Sequence, residues 1–225
     1  MYVWGAAAYA RFVRLHSKSV ALMPRNSVDV RRLVDELVAQ VNAAYGLYLD
    51  ATTGFAANLR MIAEAQKQTG ATDDSPFFYS FGAPTDGGHV LLHQTTNSAF
   101  KGRNRDNGPN YIQLARFLIV MLFELWETGY RRPVAQAAGV QRDNLLSPVF
   151  GDLRLLRHEI LHNKSRLSPE TKGKLQVISP PTTDSVDMNK EAVEHLVRAV
   201  KAGLDDMVKS FTGQDPGYRT VWLAT

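Results

Sequence analysis

The chain of 225 residues contains no cysteine. That removes disulfide frameworks and thiolate metal sites or nucleophiles from consideration, and makes a reducing cytoplasmic setting the default expectation. Long apolar runs are missing too. The most hydrophobic stretch, Leu114 to Trp126, is about thirteen residues long and holds Arg116 and Glu124, too short and too charged to span a bilayer, so no membrane partner is expected. The first residues, MYVWGAAAYARFVRLHSK, lack the charged-then-apolar order of a secretory leader and read as a terminal segment. Strong charge of either sign is absent as well: 26 Lys and Arg against 22 Asp and Glu give a net charge of +4, which permits a polyanionic partner without demanding one. There is no internal repeat and no low-complexity tract. What remains, 44% hydrophobic and 21% charged residues, is the composition of one ordinary globular domain spanning 1–225, with a terminal segment at 1–26 and a tail at 212–225.

Helical periodicity organises that domain. Val30, Leu33, Val34, Leu37, Val38, Val41, Tyr45 and Tyr48 keep helical spacing from Ser27 to about Asp50. A break near Thr52 to Gly54 is expected next, followed by a second helix or a continuation of the first to Gln68, stopped by Gly70. FFYSF and HVLLH, separated by a stretch rich in Gly and Pro, suggest two short strands or an ordered loop. The polar, basic stretch Thr95 to Asn110 reads as a loop. Asn110 is placed to cap a helix that is apolar on most sides and ends at Gly129 or Tyr130, and Pro133 to Ala138 forms a short helix closed by Gly139. Ser147 and Pro148 open a helix running to about Asn163. A helical turn from Ser168, an extended KLQVIS and a last amphipathic helix from Asn189, stopped by Gly213 and Pro216, complete the chain. The fold class expected is all-α, a bundle of four to five helices with a small β hairpin inserted.

Chemistry concentrates in Gly151 to Lys164, GDLRLLRHEILHNK. At about 100° per residue, Leu153, Leu156 and Ile160 form a buried stripe, while Arg154, His158 and His162 line up on nearly the opposite face. Arg157 sits at the edge of the stripe, roughly 140° from His162, so one isolated helix does not bring the two together. Two motifs overlap here. His158, Glu159 and His162 spell HExxH, in which two histidines one turn apart bind zinc and the glutamate polarises its water. The third ligand is poorly supplied: Ser165 and Ser168 stand where the long form needs Gly and His, leaving Glu191 or Glu194 as candidates. Arg157 and His162 also spell R-x-x-x-x-H with a polar residue after the arginine.

That second motif, on the penultimate helix of a small helical domain, resembles the HEPN superfamily of ribonuclease-like domains. A further match lies upstream, where Thr95, Thr96, Phe100, Lys101, Arg103 and Asn104, followed by Trp126 and Glu127, are similar to the T-T-x-x-x-F-K-x-R-N segment and Trp-Glu pair of one HEPN branch. The resemblance covers roughly Pro76 to Asn163. It implies a four- to five-helix HEPN-like bundle, a homodimer with a composite site across its two-fold axis, and metal-independent cleavage of RNA to 2′,3′-cyclic phosphate ends, in a defence or toxin setting with an antitoxin or regulatory partner.

The residue chemistry suits that reaction, since histidine moves protons near neutral pH and arginine holds two phosphate oxygens at once. His162 is then the acid or base and Arg157 holds the scissile phosphate. His158 orients it or shares the proton work, and Glu159 fixes a tautomer or pairs with Arg157. Arg154 and Lys164 beside the motif, and Lys101, Arg103 and Arg105 in the upstream loop, are the candidate RNA contacts. No metal or cofactor is expected on this reading. A noncatalytic RNA-binding or regulatory dimer and a zinc hydrolase are the alternatives.

Overall fold

A computed structural model describes residues 26–81, 90–181 and 183–219. These are mostly helical, with one two-stranded sheet. The elements are α1 (Ser27–Thr69), β1 (Pro76–Phe81), β2 (Val90–Thr96), α2 (Asn97–Asn104), α3 (Pro109–Glu124), a π-helical segment (Leu125–Tyr130), α4 (Arg131–Ala137), α5 (Pro148–His162), α6 (Pro169–Lys174) and α7 (Lys190–Thr212). No described helix is long and apolar enough to cross a membrane.

The core lies between α1, α3, α5 and α7, whose inward residues include Val34, Leu37, Ile119, Leu153, Leu156, Val197 and Leu204, all fully buried. Asp35 near the start of α1 accepts the Tyr218 hydroxyl at 2.6 Å from just beyond the end of α7, so these two helices run antiparallel. Asp205, buried inside α7, accepts the N–H groups of Tyr218 and Arg219 and folds that segment back against the bundle. Tyr218 in the tail is buried, while 220–225 and 1–25 lie outside the described residues.

Several expectations are corrected. α1 is a single helix of 43 residues and does not break at Thr52 to Gly54. A helical glycine costs only about 1 kcal/mol, and contacts at this point offset it: the Tyr111 hydroxyl donates to the Thr52 carbonyl at 3.1 Å, and the Tyr111 ring packs against Phe55 with centroids 5.3 Å apart. The helix ends as expected at Gly70, in the left-handed conformation (φ +72°).

The loop expected from Thr95 to Asn110 is mostly the helix α2, capped by the Thr96 hydroxyl, which accepts from the Ala99 N–H. Its buried stripe is Asn97, Phe100 and Asn104. Two of these are amides whose donors are met by the Thr72 and Phe100 carbonyls, so the stripe is invisible to hydrophobic periodicity. The hairpin pairs Phe77 with Thr95 and Tyr79 with His93, antiparallel, with a bulge after Tyr79. Phe77 anchors it on Phe100, ring centroids 4.2 Å apart.

α3 is capped by Gly108 with Pro109 in its first turn, two residues before the expected Asn110. At Leu125 the chain does not stop; it widens into the π-helical segment and tightens again at Arg131. KLQVIS, expected to be extended, holds the end of α6 and a bend instead.

Two glycines test this packing in opposite directions. A Cβ at Gly54 would meet no atom within 4 Å. Gly54→Ala should therefore raise stability by about 0.5–1 kcal/mol and the melting temperature by about 2–4 °C. At Gly203 in α7 a Cβ would lie 2.7 Å from Cγ1 of Val149 in α5. Gly203→Ala should lower stability by about 1–3 kcal/mol, since the two helices cannot approach as closely. Thermal and urea unfolding of both variants read the signs.

Candidate functional site

α5 carries the motif, and its burial divides it lengthwise. Val149, Phe150, Leu153 and Leu156 are inside the core, with Phe150 stacked on Trp126 of the π-helical segment at 4.4 Å between centroids. Pro148 occupies the first turn, as expected. Ser147 stands at the N-cap but its hydroxyl makes no cap bond; it is buried with no partner among the described residues. Arg154, His158 and His162 are exposed, as their angular positions require. The two imidazoles face each other with centroids 5.0 Å apart, and neither has a hydrogen-bond partner among the described residues. Arg154 is likewise without a side-chain partner there.

Arg157 is half-buried at the edge of the stripe. Its Nε donates to Glu124 Oε1 at 2.8 Å, and its guanidinium lies 5.4 Å from the centroid of the Phe123 ring. Glu124 is the last α-helical residue before the π-helical segment. A carboxylate that engages Nε leaves the two terminal nitrogens of the fork for a second anion. The sequence offered Glu124 only as a charge inside an apolar run; that solitary acid in a core helix was the signal.

Glu159 does not pair with Arg157, contrary to expectation. It is 4% exposed and points to the other flank of the helix. Its carboxylate accepts from Ser168 Oγ at 2.8 Å, Thr171 Oγ1 and Asn163 Nδ2 at 2.8 Å. Burial opposes ionisation here, but the donors from Thr171, Asn163 and Ser168 outweigh it and hold the pKa at about 2, down from 4.5. Asp152, two turns earlier on the same flank, accepts the N–H groups of Gln176 at 3.0 Å, Val177 at 2.7 Å and Ile178 at 2.8 Å. Sequence reasoning missed it, although an acid in line with Val149, Leu156 and Glu159 marks it as a buried acceptor.

The upstream bases sit on a different part of the molecule. α2 packs on α1, α3 and the hairpin. Lys101 is tied to Asp73 and donates to Gln66 Oε1 at 3.1 Å. Arg103 meets His93 Nε2 at 3.0 Å and lies over the Phe100 ring. Arg105, at the end of α2, is exposed and has no side-chain partner among the described residues. In the Trp-Glu pair, Trp126 is buried and Glu127 is clasped by Arg131 and Arg142.

For a zinc centre, His158 and His162 need a third donor. Among the described residues no three His, Cys, Asp or Glu side chains gather at one point, and Glu194 is engaged by Arg198 at 2.6 Å. A cavity of about 510 Å³, bordered by Ile112, Ile178, Pro180, Met188, His195 and Leu196, is lined by no motif residue. His16 and His89 lie outside the described residues.

Comparison of the chain with protein-family models, curated proteins and solved structures returns no match.

Because the Glu159 pKa is depressed in the fold, its ionised form contributes stability that is fully present above the unfolded value of 4.5 and is lost as pH falls through about 2. Glu159→Gln should cost about 2–3 kcal/mol at pH 7, and the gap to wild type should narrow as pH falls from about 5 to 3. Urea unfolding of both proteins at pH 7, 5 and 3 measures this; a gap independent of pH would refute the assignment of charge to this carboxyl.

Proposed function

We propose that this protein is a metal-independent endoribonuclease of HEPN type, acting as a homodimer with a site composed from both α5 helices. The observation that carries the reading is the exposed row Arg154, His158 and His162, without polar partners among the described residues, beside an arginine whose Nε alone is occupied. A helix face with two unsatisfied imidazoles and an adjacent guanidinium fork has the groups that phosphodiester transfer needs. The mostly helical architecture and the motif's place on the helix before the last long one support the HEPN resemblance.

In the reaction, an imidazole of His162 takes the proton from the ribose 2′-hydroxyl, and the oxygen attacks the adjacent phosphorus. The bond to the 5′-oxygen breaks as that oxygen receives a proton, leaving a 2′,3′-cyclic phosphate and a 5′-hydroxyl. Arg157 uses its terminal nitrogens to hold the nonbridging oxygens as charge builds on them, while Glu124 fixes the plane of the fork. His158, its ring tilted against that of His162, shares the proton work. The roughly 140° between Arg157 and His162 is closed by a second α5 related by a two-fold axis, so each site takes its arginine from one chain and its histidine from the other. Arg154, Lys164 and Arg105, all exposed, are the bases left to contact RNA, whereas Lys101 and Arg103 already serve α2 and the hairpin.

Labelled mixed RNA incubated with the protein in EDTA tests this. Wild type should cut and leave cyclic phosphate ends, and Arg157→Ala and His162→Ala should each lower cutting by about a hundredfold or more while light scattering still reports a folded dimer. Cleavage that survives His162→Ala would assign the proton work elsewhere. Binding without cleavage by wild type would establish the noncatalytic dimer, and activity that needs stoichiometric zinc would establish the hydrolase.

A further inference from the structure

The turn that follows α5 is built at a conformational cost. Lys164 (φ +53°) and Ser165 (φ +61°) are consecutive non-glycine residues in the left-handed region. Such backbone persists only where surrounding contacts over-determine it, and glycine would make the same reversal without strain.

Those contacts converge on Glu159. Its backbone carbonyl accepts the N–H groups of Asn163 at 3.1 Å and Ser165 at 2.9 Å. Its carboxylate accepts Asn163 Nδ2, and that same amide nitrogen donates to the Arg166 carbonyl at 3.0 Å. Ser168 and Thr171 bind the other carboxylate oxygen, and the Ser165 carbonyl accepts the Val186 N–H at 2.8 Å. One buried acid thus holds Asn163, Ser165, Ser168 and Thr171, while the side chain of Lys164, between the first two of them, is exposed and has no partner among the described residues. Its Cα lies two residues, at most about 7 Å, from that of His162. The turn therefore presents an exposed lysine two residues beyond the histidine row.

We propose that Glu159 is a positioning residue, whose buried carboxylate holds the left-handed turn that keeps Lys164 beside His162 to receive a phosphate of the RNA strand next to the scissile one. The assignment rests on the ribonuclease reading above and gives Glu159 no contact with substrate. It also explains the use of Lys164 and Ser165 where glycine would suffice: the cap has to carry a cation as well as reverse the chain.

The test is a double-mutant cycle on binding. A labelled single-stranded RNA carrying 2′-O-methyl groups cannot be cut, so affinity is read directly by fluorescence anisotropy at several salt concentrations, for wild type, Lys164→Ala, Glu159→Gln and the double variant. Lys164→Ala should weaken binding about three- to tenfold and reduce the salt slope by about one phosphate contact. Glu159→Gln should do the same, because its amide nitrogen opposes Asn163 Nδ2 and the turn relaxes; the double variant should be no weaker than Lys164→Ala alone. Brief trypsin digestion gives an independent reading, with cleavage after Arg166 faster in Glu159→Gln than in wild type. Should circular dichroism show Glu159→Gln unfolded, Asn163→Ala, which removes one donor and leaves the carboxylate buried, enters the cycle in its place. Losses that multiply in the double variant, or unchanged trypsin cleavage, overturn the positioning role while the ribonuclease reading stands. Absence of RNA binding by wild type overturns that reading and the assignment with it.

Discussion

Two carboxylates on one flank of one helix hold the segment that follows it in place. Asp152 and Glu159 are seven residues apart, two helical turns, and so share a face of α5. Each accepts several donors from the segment that leaves the helix: Asp152 takes three consecutive N–H groups at Gln176 to Ile178, and Glu159 takes Asn163, Ser168 and Thr171. The segment is consequently folded back along the helix that precedes it, and its far side, near Ser185 to Asp187, is tied to α3 through Arg116. Without Asp152 the N–H of the buried Ile178 would be left unpaired, at a cost of about 1–3 kcal/mol.

The same helix therefore has three functions on three strips of its surface. The apolar strip of Val149, Leu153 and Leu156 supplies the core, the acidic strip organises the loop, and the basic and imidazole strip faces outward. Arg157 lies between the first and third. Its ion pair with Glu124 is about one third exposed on each side, which limits what it contributes to stability and makes its geometry the more significant property. Phe123 under the guanidinium and Glu124 on its Nε orient the fork from two directions, and both come from the last turn of α3. The π-helical segment that begins immediately afterwards shifts the register of the following turn, as such bulges do, and Trp126 stacks on Phe150 within that turn.

How much of this was legible in the sequence follows from what its patterns report. Hydrophobic periodicity found α1, α3, α5 and α7 because each buries an aliphatic stripe, and the exposed row on α5 followed from the same angular count. It failed at α2, whose buried stripe is two asparagines and one phenylalanine, and it overstated the break at Gly54, where a tyrosine from another helix supports the backbone. The motif residues were found because exposed histidines are conspicuous. Their supports were not: Glu124, Asp152 and Glu159 are acids whose donors, Asn163 apart, come from 9 to 33 residues away along the chain, and spacing rules see only neighbours within a turn or two.

The separation of strips has a consequence for how the motif can vary. The side chains of Arg154, His158 and His162 make no hydrogen bonds within the described chain, so the packing of the fold places little demand on their identity. Glu159 is the reverse, since its partners are all internal and its ionisation is maintained by them. HExxH is thus, in this fold, two outward residues interrupted by an inward one, Glu159 standing about 100° round the helix from His158 and about 60° from His162. In a zinc protease the glutamate of that motif must reach a metal-bound water on the same side as the histidines. Here it serves the turn behind them, and the arginine preceding the motif is held by Glu124 and Phe123 of α3.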